Sequence, residues 1–79
     1  MEEEAFVMTA TAGGVSMDEA KLIKLGRDTC AYLRDGHSAL DAIFEILANG
    51  SSWTPDRAAV VVGAATGTLC EDQMYKTPG

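Results

Sequence analysis

The chain has little positive charge and no long apolar run. Its 79 residues contain six Lys and Arg against twelve Asp and Glu, giving a net charge of −6. A surface of this sign repels the phosphate backbone, so we expect no nucleic-acid partner. A helix that crosses a bilayer needs about 20 consecutive apolar residues, and no run of that length is present. We therefore expect no membrane span.

A recognisable secretion signal is also missing. The first residues, Met1 to Glu4, have neither the basic n-region nor the apolar h-region of a secretory leader. Two interpretations of localisation follow. Either the protein acts in the cytoplasm, or the sequence is a mature segment from which a leader has been removed.

Catalytic and metal-binding motifs are absent as well. One His and two Cys, without Cys-x-x-Cys spacing, are too few for a zinc site. His37 and Ser38 are neighbours in sequence, which rarely gives the geometry of a nucleophile and its base. We expect a non-enzymatic protein that uses no cofactor and no metal.

Start and stop signals predict an all-α fold of about four short helices. The first helix spans about Glu2 to Ala12 and ends at Gly13-Gly14. Ser16 and Glu19 form a capping-box pattern for the second helix, which runs to about Asp35. Apolar residues recur in these segments at helical spacing, and no alternation typical of strands is visible.

The second half of the chain contains two further helices. Ser38 caps the third, which ends at Asn49-Gly50, and Thr54 caps the fourth, with Pro55 at its first position. The fourth helix runs to about Asp72. Residues 1–73 form one helical domain, and residues 74–79 form a loose tail.

Helical periodicity also predicts the interior of the domain. Gly26 lies inside the second helix, which indicates a close neighbour. Small residues on the fourth helix suggest a face for close helix packing, made of Ala59, Gly63, Ala64 and Gly67. The predicted core residues are Phe6, Leu22, Ile23, Leu25, Leu33, Leu40, Ile43, Phe44, Leu47, Val61, Val62 and Leu69.

The two cysteines, Cys30 and Cys70, allow two interpretations. A disulfide would close a loop of about forty residues and stabilise the fold by about 4 kcal/mol on the chain-entropy model. Alternatively, both are free buried thiols that act as small apolar side chains. The residues alone leave both open.

Two segments carry a family resemblance, GRDTCAYLRDGHS (residues 26–38) and WTPDRAAVVVGAA (residues 53–65). Followed by Leu69-Cys70, they resemble a small mycobacterial family catalogued as domain of unknown function 732. The resemblance implies that Cys30 and Cys70 are paired and that the protein is exported. Two features depart from the family: Glu71 stands where a Pro usually follows the second Cys, and no leader is present. A phage-encoded relative inside the cell, or removal of a leader, explains both.

From the absence of a catalytic set, together with the resemblance, we expect a non-enzymatic binding or interaction module of an actinobacterial cell envelope or an associated phage. We expect a protein partner, whose identity the sequence does not give; it does not give the oligomeric state either. One alternative is a carrier of a small apolar ligand, lipid or haem, with a cavity lined by the third and fourth helices. A second is a phosphopantetheine carrier modified at Ser38, since residues 35–40 are similar to the modified stretch of peptidyl carrier domains.

Two further residues are candidates for contact with a partner or ligand. Trp53 precedes the last helix, where it either packs on that helix or anchors a partner. His37 lies in a turn, where it can hydrogen-bond the last carbonyls of the second helix.

Overall fold

Four α-helices and a C-terminal 3₁₀ helix make up residues 2–76, the part of the chain that the computed structural model describes. The elements are α1 (Glu2–Ala12), α2 (Glu19–Arg34), α3 (Ala39–Ala48), α4 (Pro55–Thr68) and the 3₁₀ helix (Glu71–Lys76). The described residues contain no strand. The predicted all-α class and helix number are confirmed.

Capping side chains begin α3 and α4 as predicted. The backbone N–H of Asp41 donates to Ser38 Oγ at 3.1 Å, and the Asp41 carboxylate accepts from the Ser38 N–H, which completes a capping box. Thr54 Oγ1 accepts from the backbone N–H of Arg57 at 3.3 Å. Pro55 occupies the first turn, where its missing N–H leaves no intrahelical bond unmade.

The start of α2 differs from the prediction. The N-cap is Asp18, whose Oδ2 accepts from the backbone N–H of Lys21 at 3.2 Å, and Glu19 is the first helical residue. The capping box expected at Ser16 is therefore wrong. Aspartate is as good an N-cap as serine, and its negative charge also favours the helix N-terminus. At its other end α2 stops at Arg34, and the chain turns at Gly36, whose φ is +101°.

The fourth helix is the central element, because it packs against α1, α2, α3 and the 3₁₀ helix. Its buried residues are Ala58, Val61, Val62, Ala64, Ala65 and Thr66. Of the predicted small-residue face, Ala64 is buried and Gly63 is half-buried, whereas the prediction is wrong for Ala59 and Gly67, which are exposed. Val61 and Val62 bury more apolar area than glycines can, and the face of α4 that contains them therefore packs against the core.

The predicted core is only partly correct. Phe6, Leu22, Leu33, Val61 and Val62 are buried. Five others are half-buried: Ile23, Leu25, Ile43, Leu47 and Leu69. The prediction is wrong for Leu40 and Phe44, whose exposed fractions are 60% and 58%. Small side chains complete the interior in their place, chiefly Ala10, Ala39, Ala42, Ala58, Ala64 and Ala65.

The end of the chain forms more structure than predicted. The fourth helix stops at Thr68, before the expected Asp72. Residues 74–76, assigned from sequence to a loose tail, belong to the 3₁₀ helix. Lys76 Nζ donates to the carbonyl oxygens of Leu33 and His37, which fastens this helix to the end of α2. Residues 77–79 of the predicted tail lie outside the described residues.

A disulfide joins Cys30 and Cys70, as the resemblance implied. It connects the second helix to the C-terminal end of the fourth, where Cys70 lies two residues beyond α4, and the two Cα atoms are 5.9 Å apart. Both cysteines are buried, with exposed fractions of 3% and 1%. The alternative of two free thiols is therefore wrong.

Removing the disulfide should lower the free energy of unfolding by about 4 kcal/mol, because the unfolded chain regains the entropy of an open loop of about forty residues. Urea unfolding of the Cys30→Ala/Cys70→Ala variant and of the native protein measures the difference. The double variant is also the control for added reductant. It has no disulfide to reduce, so its urea midpoint should be the same with and without reductant. A native midpoint that reductant does not shift would contradict the prediction.

Gly26 is the contact point of α2 with Phe6 and Leu69. A Cβ atom at this position would lie 2.6 Å from Phe6 Cζ and 2.8 Å from Leu69 Cδ1. The close neighbour expected from sequence is confirmed. A glycine here lets α1 and the end of α4 approach the second helix.

Replacing Gly26 by Ala should lower the free energy of unfolding by about 1–3 kcal/mol, because the added methyl group displaces two core side chains. The matched control is Gly63→Ala in α4, where a Cβ would meet no atom within 4 Å. That change should raise stability by about 0.5–1 kcal/mol through helix propensity. Denaturant unfolding of both variants checks the opposite signs, and a stabilising Gly26→Ala would refute the packing argument.

Candidate functional site

The third helix has two apolar faces. Within α3 every residue except Asp41 and Glu45 is apolar. Its buried face consists of Ala39, Ala42 and Ile46. The opposite face exposes two large side chains, Leu40 and Phe44. An apolar surface left in solvent on a small domain indicates an interaction site.

Tyr75 continues this apolar surface across an open groove. The groove has a volume of about 480 Å³ and is lined by Ser38, Ala39, Leu40, Ile43, Tyr75 and Lys76. Tyr75 is 79% exposed. We call Leu40, Ile43, Phe44 and Tyr75 the α3 apolar surface.

Two polar contacts position the 3₁₀ helix that carries Tyr75. One is the Lys76 ammonium on the carbonyls of Leu33 and His37. The other is a two-bond contact in which the Arg34 guanidinium donates to both carboxylate oxygens of Asp72, at 2.9 and 3.3 Å. The second wall of the groove is thus fixed to the second helix.

Negative charge borders the α3 apolar surface. Asp41 and Glu45 are exposed on the same helix, beside the stripe of Leu40 and Phe44. The Lys76 ammonium, which lines the groove, is already bound to backbone carbonyls. The edge formed by α3 is therefore acidic.

His37 closes the turn between α2 and α3 by stacking. Its ring lies parallel to that of Tyr32, with centroids 3.8 Å apart and an interplanar angle of 4°. The sequence suggested that His37 could hydrogen-bond the last carbonyls of the second helix, and one of these, the Leu33 carbonyl, accepts from Lys76. Partial burial raises the pKa of the Tyr32 hydroxyl, and the carboxylates of Glu45 and Asp41 add to the rise. The imidazole thus packs face to face on the Tyr32 ring.

Ser38 acts as an N-cap. Its hydroxyl accepts the backbone N–H of Asp41, and the residue is exposed. The structure brings Ser38 together with Asp41, its partner in the capping box.

Trp53 packs against the core as a half-buried residue. Its remaining surface lines a second open concavity of about 230 Å³, together with Val15, Ser16, Met17, Ser52 and Arg57. This concavity shares no residue with the α3 apolar surface. The structure thus separates the two sequence candidates, Trp53 and His37, into different places.

Residues 2–76 contain neither a candidate metal cluster nor a candidate membrane span. In that range no group of three or more His, Cys, Asp or Glu side chains could hold a metal ion. Nor does any helix there have the length and apolar character needed to span a membrane.

The fold and its surfaces define a class, a disulfide-linked domain of four short helices with an exposed apolar helix face. The chain belongs to the family described as protein of unknown function (DUF732), whose profile matches residues 2–72. The family resemblance stated from residues 26–38 and 53–65 is thereby confirmed. No curated protein and no solved structure matches the chain.

Leu40, Phe44 and Tyr75 were not predicted as candidate contact residues. The first two were assigned to the core because their spacing is helical, and Tyr75 was assigned to the tail. One signal was available, the near absence of polar residues in α3. A helix on the surface of a small domain normally has a broad polar face.

The contact between Arg34 and Asp72 should make stability depend on pH. The hydrogen bond from Arg34 holds the pKa of the Asp72 carboxyl well below its ordinary value, and a hydrogen bond from Gln73 adds a smaller effect in the same direction. The pair therefore stabilises the fold above the unfolded pKa of about 4 and loses this effect as the pH falls below it. Both side chains are about half exposed, 52% and 56%, so the effect is small.

Arg34→Gln should accordingly lower the urea midpoint at neutral pH, and the difference from the native protein should shrink toward about pH 2–3. Lys21→Gln is the control, since Lys21 has no side-chain ion pair among residues 2–76. A difference for Arg34→Gln that is constant from neutral to acidic pH would contradict the assignment.

Proposed function

We propose that this protein is a non-enzymatic interaction module whose α3 apolar surface docks a basic, amphipathic helix of a partner protein. The observation that carries the proposal is the exposure of Leu40 and Phe44 on a helix whose buried residues are Ala39, Ala42 and Ile46. Burying those two residues inside would stabilise the domain more than burying alanines does. Their exposure makes the domain less stable than it would be with both side chains buried, and a partner that covered them would gain this free energy of burial on binding.

The residue types support a protein partner. Aromatic side chains form only 6% of the chain, yet Phe44 and Tyr75 both lie on this surface. Aromatic residues dominate the binding energy of protein interfaces because they bury a large area at a low entropic cost.

The shape supports a helical partner. The groove between α3 and the 3₁₀ helix is open, and its volume of about 480 Å³ accommodates a few side chains rather than a whole helix. An amphipathic helix would place large apolar residues at i and i+4 into such a groove while its axis remained above it.

Charge selects a basic partner. Asp41 and Glu45 lie along the α3 apolar surface, and the chain carries a net charge of −6. A second copy would bring like charges together, whereas Lys and Arg beside an apolar stripe would meet opposite charge. The proposed occupant is therefore a different chain.

The compartment proposed for this interaction is an actinobacterial cell envelope, or the surroundings of an associated phage. The disulfide supports a compartment outside the reducing cytosol. The host and the phage association rest on the family resemblance.

The carrier of an apolar ligand is the competing hypothesis, and it requires a cavity between α3 and α4. The apolar concavities described lie elsewhere: one between α3 and the 3₁₀ helix, and another of about 230 Å³ between α2 and α3. Neither of these two concavities is lined by both α3 and α4, and their positions favour the interaction module.

A designed peptide tests the proposal. The probe is a fluorescent helix of about 18 residues with leucines on one face and lysines on the other. Its partner probe carries glutamates in place of the lysines. We expect the lysine peptide to bind and the glutamate peptide to bind at least about tenfold more weakly, measured by fluorescence anisotropy at low salt.

Variants locate the binding surface. Leu40→Gln and Phe44→Gln should each weaken binding of the lysine peptide by at least about tenfold, with little change in the urea midpoint because both residues are more than half exposed. Met8→Gln is the matched control, since Met8 is 70% exposed on α1. It should bind like the native protein.

Three outcomes would overturn the proposal. One is equal binding to Phe44→Gln and to the native protein. Another is equal affinity for both peptides. The third is a dimer in sedimentation velocity that Phe44→Gln dissociates, which would make a second copy the occupant.

A further inference from the structure

We infer that the concavity beside Trp53 is a binding site for a small carboxylate with a short apolar substituent. It lies between the loop that precedes α2 and the loop that precedes α4. Its lining residues are Val15, Ser16, Met17, Ser52, Trp53 and Arg57. This site is independent of the proposed interaction function, because it has no residue in common with the α3 apolar surface.

The apolar wall of the site is held in place by the fold. Val15 is buried, and its backbone N–H donates to the carbonyl of Ala10 at 3.0 Å. Trp53 packs on the core, and a Cβ at Gly50 would lie 3.2 Å from Trp53 Cδ1. Both side chains are therefore positioned before any ligand arrives, which lowers the entropic cost of binding.

The polar groups of the site suit an anion. The chain has twelve carboxylates, and the other arginines, Arg27 and Arg34, form ion pairs with Glu3 and Asp72. Among residues 2–76 no ion pair is formed by the Arg57 guanidinium, although carboxylates outnumber cations. A guanidinium binds a carboxylate with two parallel hydrogen bonds.

Hydroxyl groups add neutral donors beside this cation. Ser16 and Ser52 line the same concavity and are exposed. The backbone N–H of Arg57 donates to Thr54 Oγ1 at 3.3 Å. This hydrogen bond fixes the backbone of Arg57 in the first turn of α4. One cation and two hydroxyls match a single negative charge.

Size and charge narrow the class of ligand. The volume of about 230 Å³ is below the range of about 300–1,000 Å³ typical of sites for drug-sized ligands. A doubly charged phosphate would meet one cation on a protein of net charge −6. A monocarboxylate with a branched aliphatic group fits both limits. Its source is either a free short-chain acid or the C-terminal carboxylate of a peptide.

The single tryptophan of the chain provides the readout. We expect a saturable change of Trp53 fluorescence on titration with 3-methylbutanoate or with N-acetyl-leucine, and a response at least about tenfold weaker with the matching amides. Saturation by N-acetyl-leucine alone would assign the site to a peptide C-terminus. Saturation by both would assign it to short carboxylates in general.

Substitutions test the role of the guanidinium. Arg57→Gln should weaken binding by at least about tenfold, and Arg57→Lys should weaken it less because one charge remains. Lys21→Gln, which removes the same charge from exposed α2 surface, should bind like the native protein. The urea midpoint of each variant establishes that the fold is retained.

Several results would overturn the inference. A fluorescence response that never saturates would do so, as would equal affinity for acids and amides. Equal binding by Arg57→Gln and the native protein would also refute it. If inorganic phosphate bound more tightly than both carboxylates, the assigned ligand class would be wrong.

Discussion

The disulfide between Cys30 and Cys70 is the constraint on which the rest of the structure depends. It ties the second helix to the end of the fourth, and α4 is the element that touches all the others. Once this end of α4 is fixed, the 3₁₀ helix that follows must lie beside α2. There Lys76 and Asp72 find their partners, and Tyr75 comes to face α3 across the groove.

Local signals in the sequence predicted the helices well because helix ends depend on a few neighbouring atoms. Ser38 with Asp41, and Thr54 with Pro55, each fix a helix start within one turn. The failure at Ser16 has the same local origin. Asp18 offers an equivalent acceptor two residues later, and a pattern cannot decide between two good caps.

The faces of the helices were less predictable because periodicity identifies an apolar stripe without saying what covers it. Two stripes run along α3, and the one with larger side chains was assigned to the interior. The structure buries the other stripe, because the helices cross close together. With Gly26 in contact with Phe6, and Ala58 and Ala65 buried in α4, the helices pack closely. Of the concavity beside Trp53, only Trp53 itself was a candidate from sequence, because the concavity joins two loops that are distant in sequence.

The disulfide also explains how so small a domain maintains an exposed apolar surface. Full burial of a Leu or Phe side chain contributes about 1.5–3 kcal/mol, and Leu40 and Phe44 forgo more than half of it. The covalent link contributes about 4 kcal/mol, which is of the same order. A domain of 79 residues has a net stability of only several kcal/mol, so the link offsets a loss that is large on this scale. The link therefore allows the fold to leave Leu40 and Phe44 exposed, where the proposed partner would bind.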